Sequence, residues 1–120
     1  MRQLFTMLLL AGSVFLLAGC GGETYGTGVD RKAPVVKVRD IFIRPELEGK
    51  KVTVKGEVFT QCQSNGCWFV IQDDTGQVYV DLSRHQMTLP ARLGRKATAS
   101  GVVARAKGGY LLIGEGVVIK

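Results

Sequence analysis

From Gly49 onward, apolar and polar positions alternate in a way that predicts five short β-strands. The first runs from Val52 to Thr60, with apolar or small residues at every second position and mostly polar residues between them. Four further apolar runs follow, separated by turn-forming residues: Cys67–Gln72, Gln77–Leu82, Arg95–Arg105 and Tyr110–Ile119. Gly101 interrupts the fourth run, which indicates a bulge where a small barrel bends. The pattern therefore predicts an all-β domain.

The segment before the first strand has a different period. Val38, Ile41 and Phe42 recur at helical spacing, and Pro45 stops a helix there. We therefore expect a short N-terminal helix or turn packed against the strands. Five strands with a long break between the third and the fourth are typical of the OB-fold, a small Greek-key barrel. The sequence thus predicts a five-stranded OB-fold-like barrel over residues 35–120, with another small barrel or sandwich as the alternative.

Two tight turns, 63–66 and 73–76, allow the strand pairing to be predicted. We place Cys62 opposite Cys67 and Thr60 opposite Phe69. Both hairpins then put one set of residues in the core: Val54, Val58, Thr60, Phe69, Ile71, Val78 and Val80.

The same register places an aromatic set on the opposite, outer face: Phe59, Trp68 and Tyr79. This is the surface on which OB-folds generally bind oligonucleotides or oligosaccharides, and flat rings stack well on bases and sugars. The sequence therefore predicts a ligand-binding face at these three residues. The alternative is that residues 41–43 cover this face.

The first residues of the chain have the pattern of a bacterial export signal. A short basic start precedes an uncharged apolar run from Leu4 to Leu17, which is shorter than the roughly 20 residues of a membrane span. The run ends in Leu17-Ala18-Gly19-Cys20, which resembles the lipobox of bacterial lipoproteins, whose cysteine receives a diacylglycerol before cleavage. The alternatives are an ordinary secretory signal and an uncleaved anchor.

The resemblance implies a signal peptide over residues 1–19 and a mature protein anchored through acyl chains, palmitate among them, on Cys20. Residues 20–34 are rich in Gly and polar residues, so we expect a lipidated flexible tether there. Gly21, rather than an aspartate, follows Cys20 and favours the outer membrane, facing the periplasm.

Charge adds one expectation about partners. The chain has 16 Lys and Arg against 10 Asp and Glu, a net charge of +6. Arg2 is the one charged residue before Cys20, so cleavage there would lower the net charge from +6 to +5. A moderately basic chain favours anionic surfaces such as lipid headgroups, although the charge also serves solubility.

Two cysteines remain once Cys20 carries lipid. Cys62 and Cys67 flank a four-residue turn, and a cysteine pair in an oxidising compartment predicts a disulfide. A redox-active dithiol is one alternative, but no lysine, arginine or helix N-terminus stands beside the pair to lower a thiol pKa. A copper or zinc site is the other alternative, with His85 or Met87 as a further ligand.

The segment Cys62-Gln63-Ser64-Asn65-Gly66-Cys67-Trp68 carries the most particular resemblance. It is similar to the C-x4-C-W motif of a family of small exported bacterial OB-fold proteins, often lipoproteins, whose function is uncharacterised. Residues 49–58 and 69–76 resemble the first two strands of OB-fold families. The resemblance covers about residues 36–119 and implies a fold, not an activity.

Two weaker similarities concern other OB-folds. One is to the periplasmic haem chaperone of cytochrome c maturation, which attaches haem through a histidine after its last strand. The single histidine here is His85, before the fourth strand. The other is to intracellular nucleic-acid-binding OB domains, at the level of fold only.

These residues predict a binding protein rather than an enzyme. No serine or cysteine has an evident base nearby, and we expect no cofactor beyond the lipid on Cys20. We therefore interpret the chain as a membrane-anchored binding module for an envelope ligand or protein. A metal or redox accessory role is the first alternative, and nucleic-acid binding comes third because such ligands are scarce outside the cytoplasm.

Lipidation is tested by removing the acceptor thiol. Cys20→Ala should leave an unprocessed precursor or release the protein from the membrane fraction, because the lipid can no longer be attached. Detergent partitioning and intact mass spectrometry measure both outcomes. Normal processing and partitioning of the variant would contradict lipidation at Cys20.

Overall fold

Residues 22–120, the part of the chain that this computed structural model describes, contain six β-strands, one short α-helix and two 3-10 helices, Pro45–Leu47 and Ser83–His85. The predicted signal peptide and Cys20 lie outside the described residues. The helix α1 spans Val38–Ile43, and no helix in residues 22–120 is long and apolar enough to cross a membrane. The strands are β1 (Glu23–Gly26), β2 (Lys51–Gln61), β3 (Trp68–Asp73), β4 (Gly76–Asp81), β5 (Lys96–Ala106) and β6 (Gly109–Ile119).

Strands β2 to β6 close into the predicted five-stranded barrel. β2, β3 and β4 form a continuous antiparallel meander. β6 lies parallel to β4, with Val80 opposite Leu112, and β5 closes the barrel by pairing with both β6 and β2. The parallel pair exists because the chain crosses from β4 to β5 before returning, which is the Greek-key step. The pairing of β5 with β6 shifts between Ser100 and Gly101, where the sequence predicts a bulge.

The barrel interior is filled mainly by aliphatic side chains from alternating strand positions. Phe69 is its largest fully buried residue, and α1 contributes Val38 and Ile41. The α1 segment is where its spacing predicts it, ending before Pro45. Six of the seven residues predicted to point inward are buried: Val54, Val58, Phe69, Ile71, Val78 and Val80.

The pairing of β2 with β3 shifts by one residue at Phe59. Val58 faces Ile71 as predicted, but beyond the shift Gln61 faces Phe69. The predicted pairing of Thr60 with Phe69 is therefore wrong, because a bulge absorbs one residue of β2 and reverses the alternation beyond it. Thr60 is only half-buried, whereas the Gln61 side chain is buried with 6% exposure.

The bulge also changes the partner of Cys62. The Cys62 amide donates a hydrogen bond to the Trp68 carbonyl oxygen at 3.0 Å. Cys62 therefore lies across from Trp68, and the predicted pairing of Cys62 directly opposite Cys67 is wrong. The two cysteines are offset by one position at the loop end of the hairpin.

The segment predicted as a flexible tether forms strand β1 on the barrel wall. β1 pairs antiparallel with β6, with Glu23 opposite Ile119 and Gly26 opposite Gly116. The Arg92 guanidinium binds the Glu23 carboxylate through two hydrogen bonds of 2.7 Å. Four residues are too few to show a periodic pattern, so sequence composition favours a tether where the structure has an edge strand.

Asp73 fixes α1 to the turn between β3 and β4. Its carboxylate accepts hydrogen bonds from the Val38 amide at 2.9 Å and from the Thr75 amide and hydroxyl at 2.8 and 2.6 Å. Burial alone would raise the pKa of this carboxyl, but the hydrogen bonds outweigh it, and the pKa of Asp73 is lowered. The helix therefore packs against one end of the barrel.

The register predicts that alanine substitutions at Phe69 and at Phe59 change the free energy of unfolding by very different amounts. Phe69→Ala should lower the free energy of unfolding by about 3–5 kcal/mol, because it leaves a cavity in the core. Phe59→Ala removes the same group from a side chain that is 51% exposed and should cost about 0.5 kcal/mol or less. Urea unfolding followed by Trp68 fluorescence measures both. Equal losses would show that the described faces of β2 and β3 are wrong.

Candidate functional site

An open cleft of about 780 Å³ lies beside the loop that joins β2 to β3. Its opposite wall is the segment between β4 and β5, and Tyr25 of β1 closes one side. The volume falls within the range of roughly 300–1,000 Å³ that is usual for small-molecule sites. The lining residues include no Asp, Glu, Lys, Arg or His: Tyr25, Gln61, Cys62, Gln63, Ser64, Asn65, Gly66, Thr88, Leu89, Pro90, Ala91 and Leu93. The cleft therefore suits an uncharged group.

Gln61 holds the two walls of the cleft together. Its amide nitrogen donates to the Pro90 carbonyl oxygen at 2.9 Å, and its amide oxygen accepts from the Arg92 backbone N–H at 2.7 Å. The Leu89 amide donates to the Gly66 carbonyl oxygen at 2.9 Å. Gly66 has φ +65°, and a Cβ there would meet the Leu89 carbonyl oxygen, so the close approach requires glycine.

A second surface is formed by the aromatic side chains on the outside of β2, β3 and β4. We call Phe59, Trp68 and Tyr79 the aromatic face. Trp68 and Tyr79 stack with ring centroids 5.4 Å apart and an interplanar angle of 23°. Phe59 is 51% exposed and Tyr79 39% exposed. All three point outward, as the sequence predicts, while ligand binding by them stays a prediction.

Helix α1 reaches one side of the aromatic face without covering it. Phe42 and Tyr79 line one open pocket, and Phe42 turns its ring edge toward Tyr110, at 6.4 Å between centroids and 74° between planes. Ile41 is buried in the barrel, and Ile43 is itself exposed. The alternative that residues 41–43 cover the aromatic face is therefore wrong for Phe59, which is 51% exposed, while Phe42 lies beside Tyr79.

β3 and β4, which carry Trp68 and Tyr79, contain amides and carboxylates, whereas β2, which carries Phe59, also contains Lys51 and Lys55. Neither β3 nor β4 contains a lysine or an arginine. Gln77 hydrogen-bonds Gln72 at 2.8 Å on one side of the aromatic rings, and Asp81 lies opposite Trp68 on the other. This face has hydrogen-bonding groups for a neutral partner and no positive charge from β3 or β4 for a phosphate.

Cys62 sits on the cleft wall in a loop that favours its thiolate. The backbone N–H of Asn65, the Ser64 hydroxyl and the backbone N–H groups of Ser64 and Gly66 lower the pKa of Cys62 to about 6. The sulfur lies 3.3 Å from the Ser64 hydroxyl oxygen, and the protonated thiol donates to the Asn65 side-chain oxygen at 3.1 Å.

Cys67 has the opposite environment. Burial, a hydrogen bond with Cys62 and the charge of Cys62 raise the pKa of the Cys67 thiol. Both cysteines are free thiols in the structure, so the disulfide stays a prediction. The expectation that nothing near the pair lowers a thiol pKa is wrong, because the loop's own N–H groups do so without any lysine, arginine or helix.

The residues named for the metal alternative do not gather around the cysteine pair. His85 is exposed in a short turn after β4, whereas Met87 is buried with 8% exposure. Residues 22–120 contain no group of three or more His, Cys, Asp and Glu side chains arranged to hold a metal ion.

Comparison with known proteins bears on the fold. No protein-family model matches the chain, and no curated protein sequence does. Among solved structures, the hypothetical protein ygiW from E. coli is 15% identical with a TM-score of 0.55, covering 73% of this chain and 91% of that one. An OBody, AM1L10, bound to hen egg-white lysozyme is 19% identical with a TM-score of 0.55, covering 77% and 96%.

A third similar structure is the asparaginyl-tRNA synthetase from Pyrococcus horikoshii, with 26% identity and a TM-score of 0.52 over 70% of this chain. This chain spans only 22% of the synthetase.

The domain is an OB-fold. Ligands of OB-folds generally lie on the second and third barrel strands, which are β3 and β4 here. The aromatic face therefore occupies the usual binding position of this OB-fold. The uncharged cleft lies on the other side of the cysteine loop.

Sequence reasoning missed the residues that build the cleft. Tyr25 lies in the segment read as a tether, and Leu89 to Ala91 lie in an irregular stretch with no periodic signal. Because the sequence predicts Thr60 to point inward, the alternation puts the neighbouring Gln61 on the outer face, and the bulge turns it inward. The Ser-Asn-Gly sequence of the loop is the one signal that could have indicated converging N–H groups.

The loop environment predicts an ionised Cys62 at neutral pH. In a Cys67→Ser variant, the rate of alkylation by iodoacetamide should rise with a midpoint near pH 6, because the thiolate is the reactive form. Adding Ser64→Ala should move the midpoint upward, since one hydrogen bond to the sulfur is lost. Mass spectrometry of the alkylated peptide gives the rates. A midpoint near 8.5, the usual value for a free cysteine, would contradict the described loop.

Proposed function

We propose that this protein is an envelope lipoprotein whose OB-fold domain binds a partner through the aromatic face. The lipid on Cys20 would hold the domain at a membrane outside the cytoplasm. The outer membrane is the preferred location, with the domain on its periplasmic side. The aromatic face would bind the partner without catalysing a reaction.

The observation that carries this proposal is the exposure of aromatic rings at the usual OB-fold binding position. Phe59 and Tyr79 are exposed and Trp68 is partly so, while Phe42 and residues 106–111 border Tyr79 on one side. Large apolar side chains left open to solvent lose the benefit of burial. Aromatic side chains are also the residues that dominate binding energy at interfaces.

The charge distribution favours an uncharged partner over a nucleic acid. Nucleic-acid binding draws much of its affinity from lysine and arginine contacts with phosphate. β3 and β4 supply none, and Asp81 adds a carboxylate beside Trp68, whereas Lys55 of β2 and Lys107, which lines a pocket with Tyr79, are cations on the strands and pocket of this face. An OBody similar in fold is bound to lysozyme, which is a precedent for an OB-fold that takes a protein as its partner.

The position of β1 is compatible with the proposed membrane anchor. β1 begins at Glu23, so Gly21 and Gly22 separate Cys20 from the barrel. A connection this short spans about 10 Å when extended, which would keep the barrel close to the lipid headgroups.

The barrel end next to Gly22 carries exposed basic side chains. The Lys120 amide donates to the Lys96 carbonyl oxygen at 2.9 Å, and the Arg95 guanidinium donates to the Lys120 carbonyl oxygen at 2.7 Å. All three side chains are exposed. Lysine and arginine near a membrane surface are attracted to anionic lipids, which supports an anchored orientation with this end toward the bilayer.

Site-specific photo-crosslinking in intact cells tests the binding role. Gln77→p-benzoylphenylalanine places the probe at an exposed position beside Tyr79, and Arg84→p-benzoylphenylalanine is the matched control on an exposed turn. We expect a discrete cross-linked product from position 77 alone. Adding Phe59→Ala and Tyr79→Ala to the same chain should abolish it, because the rings provide the contact.

Two outcomes would contradict the proposal. Equal cross-linking from positions 77 and 84 would show that the aromatic face has no special role, as would a product that survives loss of both rings. A product that is removed by nuclease treatment would restore nucleic-acid binding as the function.

A further inference from the structure

The two cysteines differ in their surroundings in a way that a purely structural bridge does not need. Cys62 lines the open cleft, and its sulfur lies 3.3 Å from the Ser64 hydroxyl oxygen. Cys67 does not line the cleft and lies at the other end of the same four-residue loop, offset from Cys62 by one position in the hairpin. The cleft thus exposes one sulfur to a ligand, and the second cysteine belongs to the same short loop.

We propose that Cys62 and Cys67 form a thiol–disulfide exchange site that receives a disulfide-containing substrate from the cleft. Cys62 is the attacking sulfur and Cys67 the resolving sulfur. This activity goes beyond the proposed partner binding and does not depend on the aromatic face.

The exchange balances as two successive displacements. The Cys62 thiolate attacks one sulfur of the substrate disulfide R–S–S–R, forming a Cys62–S–S–R bond and releasing R–S⁻, which takes a proton from water. Cys67 gives its proton to water and attacks the Cys62 sulfur, forming the Cys62–Cys67 disulfide and releasing the second R–S⁻. The substrate disulfide gains two electrons and the cysteine pair loses two.

The loop favours a disulfide that exchanges readily. Hydrogen bonds from the Asn65 and Gly66 amides stabilise the reduced, anionic form of Cys62. A pair whose reduced form is stabilised is a stronger oxidant than one without such contacts, so closure of the Cys62–Cys67 disulfide needs an excess of substrate disulfide, and the favoured direction is the reverse one, from that disulfide to a substrate dithiol. The same groups would stabilise Cys62 as the leaving thiolate when the exchange runs in reverse.

The cleft supplies a place for the substrate beside the attacking sulfur. Its lining carries no ionised side chain other than the Cys62 thiolate, and Leu93 adds an apolar group that is 57% exposed. An uncharged disulfide, either a small molecule or a neutral peptide segment, fits this lining best. Both candidate substrates carry the same reactive disulfide bond, and the Leu93→Glu experiment distinguishes them.

The first experiment uses the full-length protein in detergent, reduced and desalted, with 2-hydroxyethyl disulfide as the probe at pH 6. The Cys67→Ser variant should accumulate a stable mercaptoethanol adduct on Cys62. The wild type should show no adduct and should lose two hydrogens in intact mass as the internal disulfide closes. The Cys62→Ser variant should react at least ~10-fold more slowly than Cys67→Ser, because Cys67 is protonated at this pH.

A Cys62→Ser/Cys67→Ser double variant measures any reaction of Cys20 as a blank, and circular dichroism confirms that each variant is folded. Similar rates for Cys62→Ser and Cys67→Ser would overturn the assignment of Cys62 as the attacking sulfur. A wild type that retains the adduct would overturn the role of Cys67. Either result would leave the cross-linking test of the aromatic face unaffected.

The second experiment tests the cleft and separates the two substrate sources. Leu93→Glu adds a charge at an exposed position of the lining, away from the sulfur-binding loop. If the substrate is a peptide, Leu93→Glu should slow exchange with a neutral cyclic disulfide peptide at least several-fold. The rate of exchange with 2-hydroxyethyl disulfide should then stay unchanged. An equal slowing of both would indicate a small-molecule substrate, and no slowing of either would overturn the role of the cleft.

Discussion

A one-residue bulge at Phe59 sets the inward position of Gln61 and the strand partner of Cys62. Before the bulge, inward apolar and outward polar residues alternate along β2 as the sequence predicts, and Val58 faces the core opposite Ile71. After it, the inward position passes from Thr60 to Gln61. Without the extra residue, Gln61 would point to solvent and could not bind the far wall of the cleft.

The inward Gln61 ties the cysteine loop to the β4–β5 segment, together with the hydrogen bond from the Leu89 amide to the Gly66 carbonyl oxygen. Its side chain bonds the Pro90 carbonyl and the Arg92 amide, and Arg92 in turn binds Glu23 of β1. The pKa of Glu23 is lowered to about 2 by the hydrogen bond to Arg92. A chain of polar contacts thus runs from β2 through the β4–β5 segment to the first strand. The cleft exists because these contacts hold its walls at a fixed separation.

The cysteine loop separates two surfaces with different chemistry. On one side is the uncharged cleft with Cys62, and on the other is the aromatic face with Trp68 directly after Cys67. The pKa of Tyr79 is raised by burial and then by the charges of Asp81, Cys67 and Cys62, which places the cysteine pair electrostatically close to the aromatic face. A partner held on the aromatic face would therefore lie near the exchange site, so both activities could serve one partner.

The sequence predicts the parts of this structure that repeat a simple pattern. The barrel strands, the helix before Pro45 and the outward Phe59, Trp68 and Tyr79 all follow from alternation and turn residues. The one-residue shift of β2 breaks alternation without a glycine or proline to mark it, so the partner of Cys62 could not be read from spacing. Strand β1 was missed because a four-residue edge strand is held by β6 and Arg92, which lie far away in sequence.

The low pKa of Cys62 was missed for a related reason. Backbone N–H groups are present in every loop, and only their convergence on one sulfur makes them an anion site. Composition carries no information about that convergence. The surroundings of the cysteine pair are therefore a property of the folded loop rather than of its residue types.

The most direct test of the bulge is the nuclear Overhauser effect between backbone protons across β2 and β3. The structure predicts a strong contact between the Hα protons of Gln61 and Phe69, together with contacts between Val58 and Ile71. A strong contact between the Hα protons of Thr60 and Phe69 in place of the Gln61 contact would mean that the strand continues without a bulge. In that case Gln61 would face solvent and could not hold the two walls of the cleft beside Cys62.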